Sequence, residues 1–111
     1  MHELGLCEAI LGAVEKRAGD RPVARVRVRV GRLHHVHPEA FEQSFAIAAM
    51  GSVADEAAAE LVLLPVRGTC EACGEEFEAE EPVPACPACG GLELDITGGD
   101  ELVLESIEYR P

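Results

Sequence analysis

The chain of 111 residues is 48% hydrophobic but only 4% aromatic, which predicts one small domain with an aliphatic core and at most an added insert. No stretch approaches the roughly 20 apolar residues of a membrane span. The chain also lacks the basic start and the following apolar run that are typical of a signal peptide. We therefore expect a cytoplasmic protein with no membrane partner.

The whole chain has a formal net charge of −12, and its acidic residues are concentrated in the second part. Residues 68–111 contain twelve acidic side chains and one basic side chain, whereas residues 1–67 contain nine acidic and eight basic ones. Because so acidic a segment repels a phosphate backbone, nucleic-acid binding is not expected. The segment suits a basic protein partner, or it is a solubilising face.

The first predicted element is an amphipathic helix from about residue 4 to residue 18, ending near Gly19. Apolar side chains recur there at steps of three and four residues, at Leu4, Cys7, Leu11, Val14 and Ala18. Cys7 lies on this apolar face, so we interpret it as a buried core residue and not as a reactive thiol.

A half-buried strand is predicted over residues 23–30, where valine and arginine alternate. The side chains expected to face the core are Val26, Val28 and Val30. Those expected to face outward form an arginine row, Arg25, Arg27 and Arg29. We interpret this row as a solvated sheet face, with docking of an acidic partner as the alternative.

A second helix is predicted to begin at Pro38, a residue that suits the first helical position, and to stop near Gly51. Its buried stripe is predicted at Phe41, Phe45, Ala48 and Ala49. The composition of residues 55–60 favours more helix. The apolar run of residues 61–66 that follows predicts a strand. Pro65 places this strand near the edge of a sheet or marks the end of the strand.

Four cysteines form two knuckles, Cys70-Glu-Ala-Cys73-Gly74 and Cys86-Pro-Ala-Cys89-Gly90. Two residues between thiols allow one tight turn to direct both sulfurs at a single ion. The twelve residues between the pairs allow a short hairpin to bring the knuckles together. The glycine after each second cysteine suits a positive φ. Four thiolates favour structural zinc, and four protein ligands leave no open catalytic position.

Other interpretations of the cysteines are weaker. Two disulfides would need an oxidising compartment, which the lack of a signal-peptide pattern does not support. A redox Cys-x-x-Cys would be a single motif, whereas this chain has two. Iron in a four-sulfur site uses similar spacing, so spacing does not separate iron from zinc.

The chain closes with a turn at residues 98–100 and a strand over residues 101–109. These elements predict an α+β fold, with a small mixed three-stranded sheet, two helices and an inserted zinc-ribbon module. The expected division is an α+β domain of residues 1–67 with 96–111 and a zinc-binding ribbon insert of residues 68–95.

The amino terminus, Met1-His2-Glu3, is a second candidate metal site. The free amine, the His2 amide nitrogen and the His2 imidazole lie within chelating reach of one another. Such nitrogen sets favour square-planar Ni(II) or Cu(II) over tetrahedral Zn(II). Taken alone this signal is weak, because a histidine at position 2 is usually a plain exposed residue.

The whole layout resembles the HypA/HybF family, nickel metallochaperones of nickel–iron hydrogenase maturation. The resemblance rests on Met-His-Glu-Leu at the start, Val-Arg-Val-Gly-Arg-Leu at residues 28–33, Val-x-Pro-Glu-Ala-Phe at residues 36–41, Ala-Glu-Leu at residues 59–61, the two knuckles and the ending Gly-Asp-Glu-Leu-Val-Leu-Glu-Ser-Ile-Glu at residues 99–108. It covers essentially the whole chain in order.

The resemblance implies that His2, with backbone nitrogens and adjacent Glu3, binds nickel in the α+β domain. It also implies that the four knuckle cysteines hold structural zinc: Cys70, Cys73, Cys86 and Cys89. The implied partners are the maturation GTPase HypB, the large subunit of a nickel–iron hydrogenase and, in some organisms, urease accessory proteins.

Three histidines, His34, His35 and His37, depart from the family pattern, in which this loop often carries small or acidic residues. They could be accessory nickel ligands, but neighbouring residues of an extended chain point to opposite faces. We interpret them as a polar turn with His37 near the helix N-cap.

Two functional readings remain open at this stage. The first is nickel delivery without turnover, and the second is a zinc-ribbon adaptor that docks a protein through its acidic module and binds no nickel. An added N-terminal tag would damage only the first. No enzyme is expected, because the sequence offers no paired nucleophile and base and no phosphate-binding loop.

Overall fold

The computed structural model describes the backbone of residues 2–111 and the side chains of residues 4–111. In chain order the elements are α1 (His2–Ala18), β1 (Val23–Gly31), α2 (Pro38–Ala48), β2 (Ala58–Leu64), β3 (Val66–Cys70), β4 (Glu76–Ala79), β5 (Leu94–Gly98) and β6 (Leu102–Tyr109). A short 3-10 turn, Arg32–His34, lies between β1 and α2.

The strands form two three-stranded sheets, one with the order β2-β1-β6 and one with the order β4-β3-β5. The predicted α+β class, with two helices, a three-stranded sheet and an inserted cysteine module, is confirmed. The sequence did not indicate that the module would contain a sheet of its own. No helix in the described part of the chain has both the length and the apolar character needed to cross a bilayer.

The chain divides into two compact units. Unit 1 contains the residues up to Arg29, Val36–Val62 and Val103–Pro111, and unit 2 contains Val30–His35 and Leu63–Leu102. Unit 2 is therefore larger than the insert of residues 68–95 expected from the sequence. Whether residues 68–95 or the whole of unit 2 behave as a separate folding domain stays a prediction.

The core of unit 1 contains the packed faces of α1 and α2. The buried stripe of α1 is Cys7, Ile10, Val14 and Ala18, whereas Leu4 is 39% exposed and Leu11 is half-buried. The expected stripe was thus wrong at Leu4 and Leu11, because the helix turns Ile10 inward between Cys7 and Val14. The Cys7 thiol is buried, as predicted, and donates to the Phe41 carbonyl oxygen at 3.5 Å.

In α2, Pro38 lies in the first turn and the Phe41 and Phe45 rings stack with their centroids 6.1 Å apart. Ala49 is buried with them, while Ala48 is only half-buried. Gly51, at φ 80°, follows the end of the helix. The start of this helix and most of its buried stripe are confirmed.

The arginine row lies on the exposed face of β1, as predicted, while the alternate valines are buried. Each arginine pairs with carboxylates of the neighbouring strands: Arg25 with Glu108 at 3.8 Å, Arg27 with Glu60 at 3.7 Å and Glu105 at 3.2 Å, and Arg29 with Glu105 at 3.5 Å. This face is therefore solvated, and its arginines are paired with carboxylates of the same chain. We call this set of ion pairs the charge lattice.

The helix favoured for residues 55–60 was wrong, because turns precede β2 and the strand begins at Ala58. Pairing of β2 with β1 outweighs the helix propensity of its alanines. The strand predicted over residues 61–66 is in fact two strands, divided at Pro65. Proline has no backbone N–H for a ladder, so it marks the place where the chain leaves the first sheet for the second.

Candidate metal centre

Both cysteine knuckles have the same backbone geometry. Gly74 N–H donates to the Cys70 carbonyl oxygen and Gly90 N–H donates to the Cys86 carbonyl oxygen, each at 2.8 Å. Gly74 has φ 79° and Gly90 has φ 78°, so the positive φ predicted for both glycines is confirmed. A side chain at either position would be strained in this conformation.

The two knuckles are held together by the strands around them. The first knuckle is the turn between β3 and β4, which pair antiparallel with Val66 opposite Ala79 and Thr69 opposite Glu76. The second knuckle precedes β5, the strand on the other side of β3. The Glu71 N–H donates to the Glu93 carbonyl oxygen at 2.9 Å, which fastens the first knuckle to the segment after the second.

The four thiols converge on one point. All four Sγ atoms lie within 4.8 Å of one another. The pairs Cys70–Cys89 and Cys73–Cys86 each have an Sγ–Sγ distance of 3.7 Å. A tetrahedral site with metal–sulfur bonds of about 2.3 Å requires sulfur–sulfur distances of about 3.8 Å. Within the described residues, this is the one group of histidine, cysteine and acidic side chains close enough to hold a metal.

Two of the four cysteines of the site are exposed to solvent. Cys70 and Cys86 are buried, whereas Cys73 and Cys89 are exposed. Backbone N–H groups of Ala88 and Cys89 donate to the Cys86 sulfur at 3.3 and 3.4 Å, and that of Gly91 donates to the Cys89 sulfur at 3.4 Å. Such donors stabilise thiolates and orient them.

The thiol pKa values differ across the site. N–H donation from Cys89 outweighs the opposing desolvation and, with donation from Ala88, lowers the pKa of Cys86 to about 7. Donation from Glu75 acts to lower the pKa of Cys73, but desolvation and the neighbouring thiols outweigh it and raise that pKa to about 12. Four thiolates held this close would repel one another, and a divalent cation bound by all four sulfurs would offset that repulsion. The donor set therefore fits a metal such as zinc.

Gly91 is a site residue that the sequence reasoning missed. A Cβ at this position would lie 3.3 Å from the Cys89 sulfur and 3.5 Å from the Cys70 sulfur. Its carbonyl also accepts the Cys86 N–H at 2.8 Å. The sequence signal for this role was the second glycine of the Gly90-Gly91 pair. The turn itself requires only Gly90, so a further glycine suggests that other atoms approach the backbone closely at Gly91.

The predicted nickel ligands His2 and Glu3 begin α1, but their side chains lie outside the described residues, as does all of Met1. The N-terminal nickel site therefore stays a prediction.

The structure places the three loop histidines in different settings. His34 Nε2 is 2.8 Å from the Asp100 carbonyl oxygen, His35 is exposed at φ 54°, and His37 is the N-cap residue of α2. The predicted place of His37 at the N-cap is confirmed. The three imidazoles do not form a metal-holding group among the described side chains.

Comparison with known proteins gives matches along nearly the whole chain. A family model described as "Hydrogenase/urease nickel incorporation, metallochaperone, hypA" matches residues 1–109. Hydrogenase maturation factor HypA 2 of Bradyrhizobium diazoefficiens is 40% identical over 111 residues, covering 97% of this chain and 98% of that protein. Hydrogenase maturation factor HypA of Desulfitobacterium hafniense (strain DSM 10664 / DCB-2) is 38% identical over 113 residues, covering 99% of each.

The fold is also similar to a solved structure. The solution structure of the Ni metallochaperone HypA from Helicobacter pylori matches with a TM-score of 0.67 and 23% identity, covering 96% of each chain. This likeness concerns the fold. The family match over residues 1–109, together with relatives at 38–40% identity along nearly the whole chain, shows that the chain belongs to the HypA family of nickel-incorporation metallochaperones.

Proposed function

We propose that this protein is a nickel metallochaperone that binds Ni(II) at its N-terminus and delivers it for the maturation of nickel–iron hydrogenase. The observation that carries the proposal is the family match over residues 1–109, which includes the Met-His-Glu start. The relatives that resemble this chain at 38–40% identity are named hydrogenase maturation factors. The family description also includes urease, so a urease target is the second possibility for the delivered nickel.

We further propose that Cys70, Cys73, Cys86 and Cys89 hold zinc with a structural role. The support is the sulfur–sulfur distance of 3.7 Å, the convergent N–H donors and the absence of a fifth ligand position in a four-thiolate set. When bound, zinc would supply the folding free energy of a module that buries few large side chains. The ion would take no part in turnover.

The start of α1 at His2 supports the nickel site on backbone grounds. The first four N–H groups of a helix have no carbonyl partner within the helix. The His2 amide can therefore give its proton to solvent and its nitrogen to Ni(II) without breaking a helical hydrogen bond. A carboxylate at position 3 also offsets the unfavourable effect of the helix dipole on a bound cation.

The partners we propose are the GTPase HypB and the hydrogenase large subunit, with urease accessory proteins in place of the latter where urease is the target. Transfer requires that ligands of the partner replace those of the chaperone one at a time. An exposed terminal site with few ligands suits such an exchange, whereas four thiolates in a closed set do not. We propose no catalytic role for the chain.

The experiment that tests delivery is a transfer assay with purified components. Untagged protein loaded with one equivalent of radioactive Ni(II) is mixed with nickel-free hydrogenase large subunit, HypB and GTP, and excess EDTA is added after the incubation to remove nickel that has not been incorporated. We expect nickel to appear in the large subunit despite the chelator, and no transfer from protein whose N-terminal amine is blocked by an added tag. Equal transfer from the tagged protein would contradict the N-terminal site, whereas no transfer from either protein would favour the adaptor reading.

A further inference from the structure

An apolar cleft with an acidic rim lies beside the cysteine site in unit 2. Leu92 and Ala72 provide its apolar wall, and Glu71 and Glu93 flank it, around a volume of about 430 Å³. This volume is in the range of ligand-binding clefts, about 300–1,000 Å³. Leu92 is 78% exposed, although it is a large aliphatic side chain.

An isolated exposed leucine needs no explanation, but Leu92 is held in place by the metal-site backbone. The Glu71 N–H donates to the Glu93 carbonyl oxygen at 2.9 Å, which joins the two segments that line the cleft. Ala72 Cβ lies within 3.5 Å of the Cβ position of Gly91, the residue before Leu92, and Gly91 itself packs against two of the cysteine sulfurs. The two walls of the cleft therefore belong to the two knuckles, so the cleft exists only while the knuckles are joined.

Charge complementarity indicates what the cleft accepts. Residues 63–102 contain ten acidic side chains and a single basic one, Arg67. Arg67 pairs with Glu78 at 3.1 Å, so it does not offset the carboxylates at the cleft. An apolar centre with a charged rim is the arrangement of protein docking sites, in which the apolar contact gives affinity and the rim selects the partner.

We propose that this cleft docks a basic segment of a partner protein, with an aliphatic anchor side chain against Leu92 and Ala72 and with lysine or arginine residues paired to Glu71 and Glu93. The docking depends on the metal, because a metal bound by the four cysteines would supply the folding free energy of the module that contains both walls. The inference rests on the proposed function for its biological purpose, the recognition of a delivery partner. Docking itself does not involve nickel or His2.

The test uses full-length, zinc-loaded, ¹⁵N-labelled protein and a capped peptide, GRGLGRG, as the probe, with GEGLGEG and GRGSGRG as controls. We expect saturable chemical-shift changes at the backbone amides of residues 71–73 and 91–93 with GRGLGRG alone. Raising the NaCl concentration should weaken binding, because the rim contacts are ionic. Zinc-depleted protein should show no saturable change, whereas His2→Ala protein should bind as wild type does. This last result separates failure of docking from failure of the nickel proposal.

Matched variants assign the contacts. Leu92→Ser should raise the Kd by about tenfold, since it removes a buried aliphatic contact, while Ile47→Ser, at a residue 67% exposed on α2, should not change it. Glu71→Gln with Glu93→Gln should weaken binding and its salt dependence, whereas Glu39→Gln with Glu42→Gln, of equal charge change, should not. Zinc content is measured for each protein, and Leu92→Ala replaces the serine variant if that one loses zinc.

Three results would overturn the proposal. The first is wild-type affinity in Leu92→Ser and Leu92→Ala. The second is a shift pattern spread evenly over the acidic surface, which would indicate non-specific attraction. The third is concentration-dependent shifts at residues 71–73 and 91–93 without peptide, which would show that a second copy of the chain occupies the cleft.

Discussion

Two of the four convergent thiols, Cys73 and Cys89, face solvent, while Cys70 and Cys86 are buried. Each knuckle thus contributes one inner and one outer sulfur. An inner sulfur is held by the packing of its strand or turn, but an outer sulfur is held in place chiefly by the metal. Loss of one outer ligand should therefore open the site without damaging the core of unit 1.

Replacing Cys73 by alanine tests this arrangement. We expect the variant to lose its stoichiometric zinc and residues 68–95 to unfold, because metal binding supplies the folding free energy of the module. Cys7→Ala is the matched control: it removes a buried thiol outside the site, so it should keep one zinc and lose only about 1–2 kcal/mol of stability. Metal analysis and ¹⁵N correlation spectra give both results. Full zinc content in Cys73→Ala would contradict the four-sulfur site.

The loop histidines allow a second prediction at this scale. Changing His34, His35 and His37 together to glutamine should leave the Ni(II) stoichiometry unchanged, because their side chains do not converge in the structure. A glutamine at position 34 can also replace the contact of 2.8 Å to the Asp100 carbonyl. Equilibrium dialysis against Ni(II) measures the stoichiometry. A loss of one equivalent would show that a loop imidazole is a nickel ligand.

Among the elements, the charge lattice on the first sheet links three strands. Glu105 of β6 contacts both Arg27 and Arg29 of β1, whereas Glu108 pairs with one arginine among the described side chains, Arg25, at 3.8 Å. These side chains are 36–68% exposed, so each pair contributes little in salt. The lattice serves the solubility and register of the sheet more than its stability.

We predict that Glu105→Gln lowers the free energy of unfolding by about 0.5–1 kcal/mol at low ionic strength, and Glu108→Gln by less. Urea unfolding at low salt and in 1 M NaCl measures both, since 1 M salt shortens the screening length to about 3 Å. The difference between the variants should disappear in 1 M NaCl. A penalty for Glu105→Gln that salt does not reduce would mean that the contacts are not electrostatic.

The elements of unit 1 could be predicted from the sequence because periodicity marks them: every third or fourth residue in α1, alternate residues in β1, and Pro38 at the start of α2. The failures lie where tertiary pairing decides. Residues 55–60 have helical composition but precede and enter a strand that pairs with β1. The strand β4 alternates over only four residues with one large apolar side chain, Phe77, which is too short a pattern to predict a strand, and it is positioned by β3 and the first knuckle.

The metal site likewise has features that the sequence predicted and features that it did not. Cysteine spacing predicted the four sulfurs and the positive φ of Gly74 and Gly90. The close packing of Gly91 and the cleft at Leu92 depend on how the two knuckles meet, which no local pattern encodes. The nickel site was inferred from the resemblance of the whole chain, because a histidine at position 2 is, taken alone, usually a plain exposed residue.

At the scale of the whole molecule, the two units have different sources of stability. Unit 1 buries the aliphatic and aromatic side chains of α1, α2 and β1, whereas the buried side chains of unit 2 include two of the metal-site cysteines. A chain of this size has little apolar burial to spare, and we expect unit 2 in particular to depend on a bound metal. This division predicts separate responses to chelation.

Removal of zinc by a strong chelator should raise the hydrogen-exchange rates of backbone amides in residues 66–98 while those of α1 and β1 keep most of their protection. Returning one equivalent of Zn(II) should restore the slow exchange. Loss of protection throughout the chain would show instead that the two units fold as one, and that the division of residues 1–67 with 96–111 from 68–95 has no energetic meaning.

Binding of Ni(II) at the N-terminus is tested by calorimetric titration of Ni(II) into untagged, zinc-loaded His2→Ala protein beside wild type. We predict one specifically bound nickel equivalent for wild type and none for the variant, with the zinc content and helix content of both unchanged. A matched His35→Ala control should bind like wild type. If the His2→Ala protein binds one Ni(II) as tightly as wild type does, the N-terminal site is wrong.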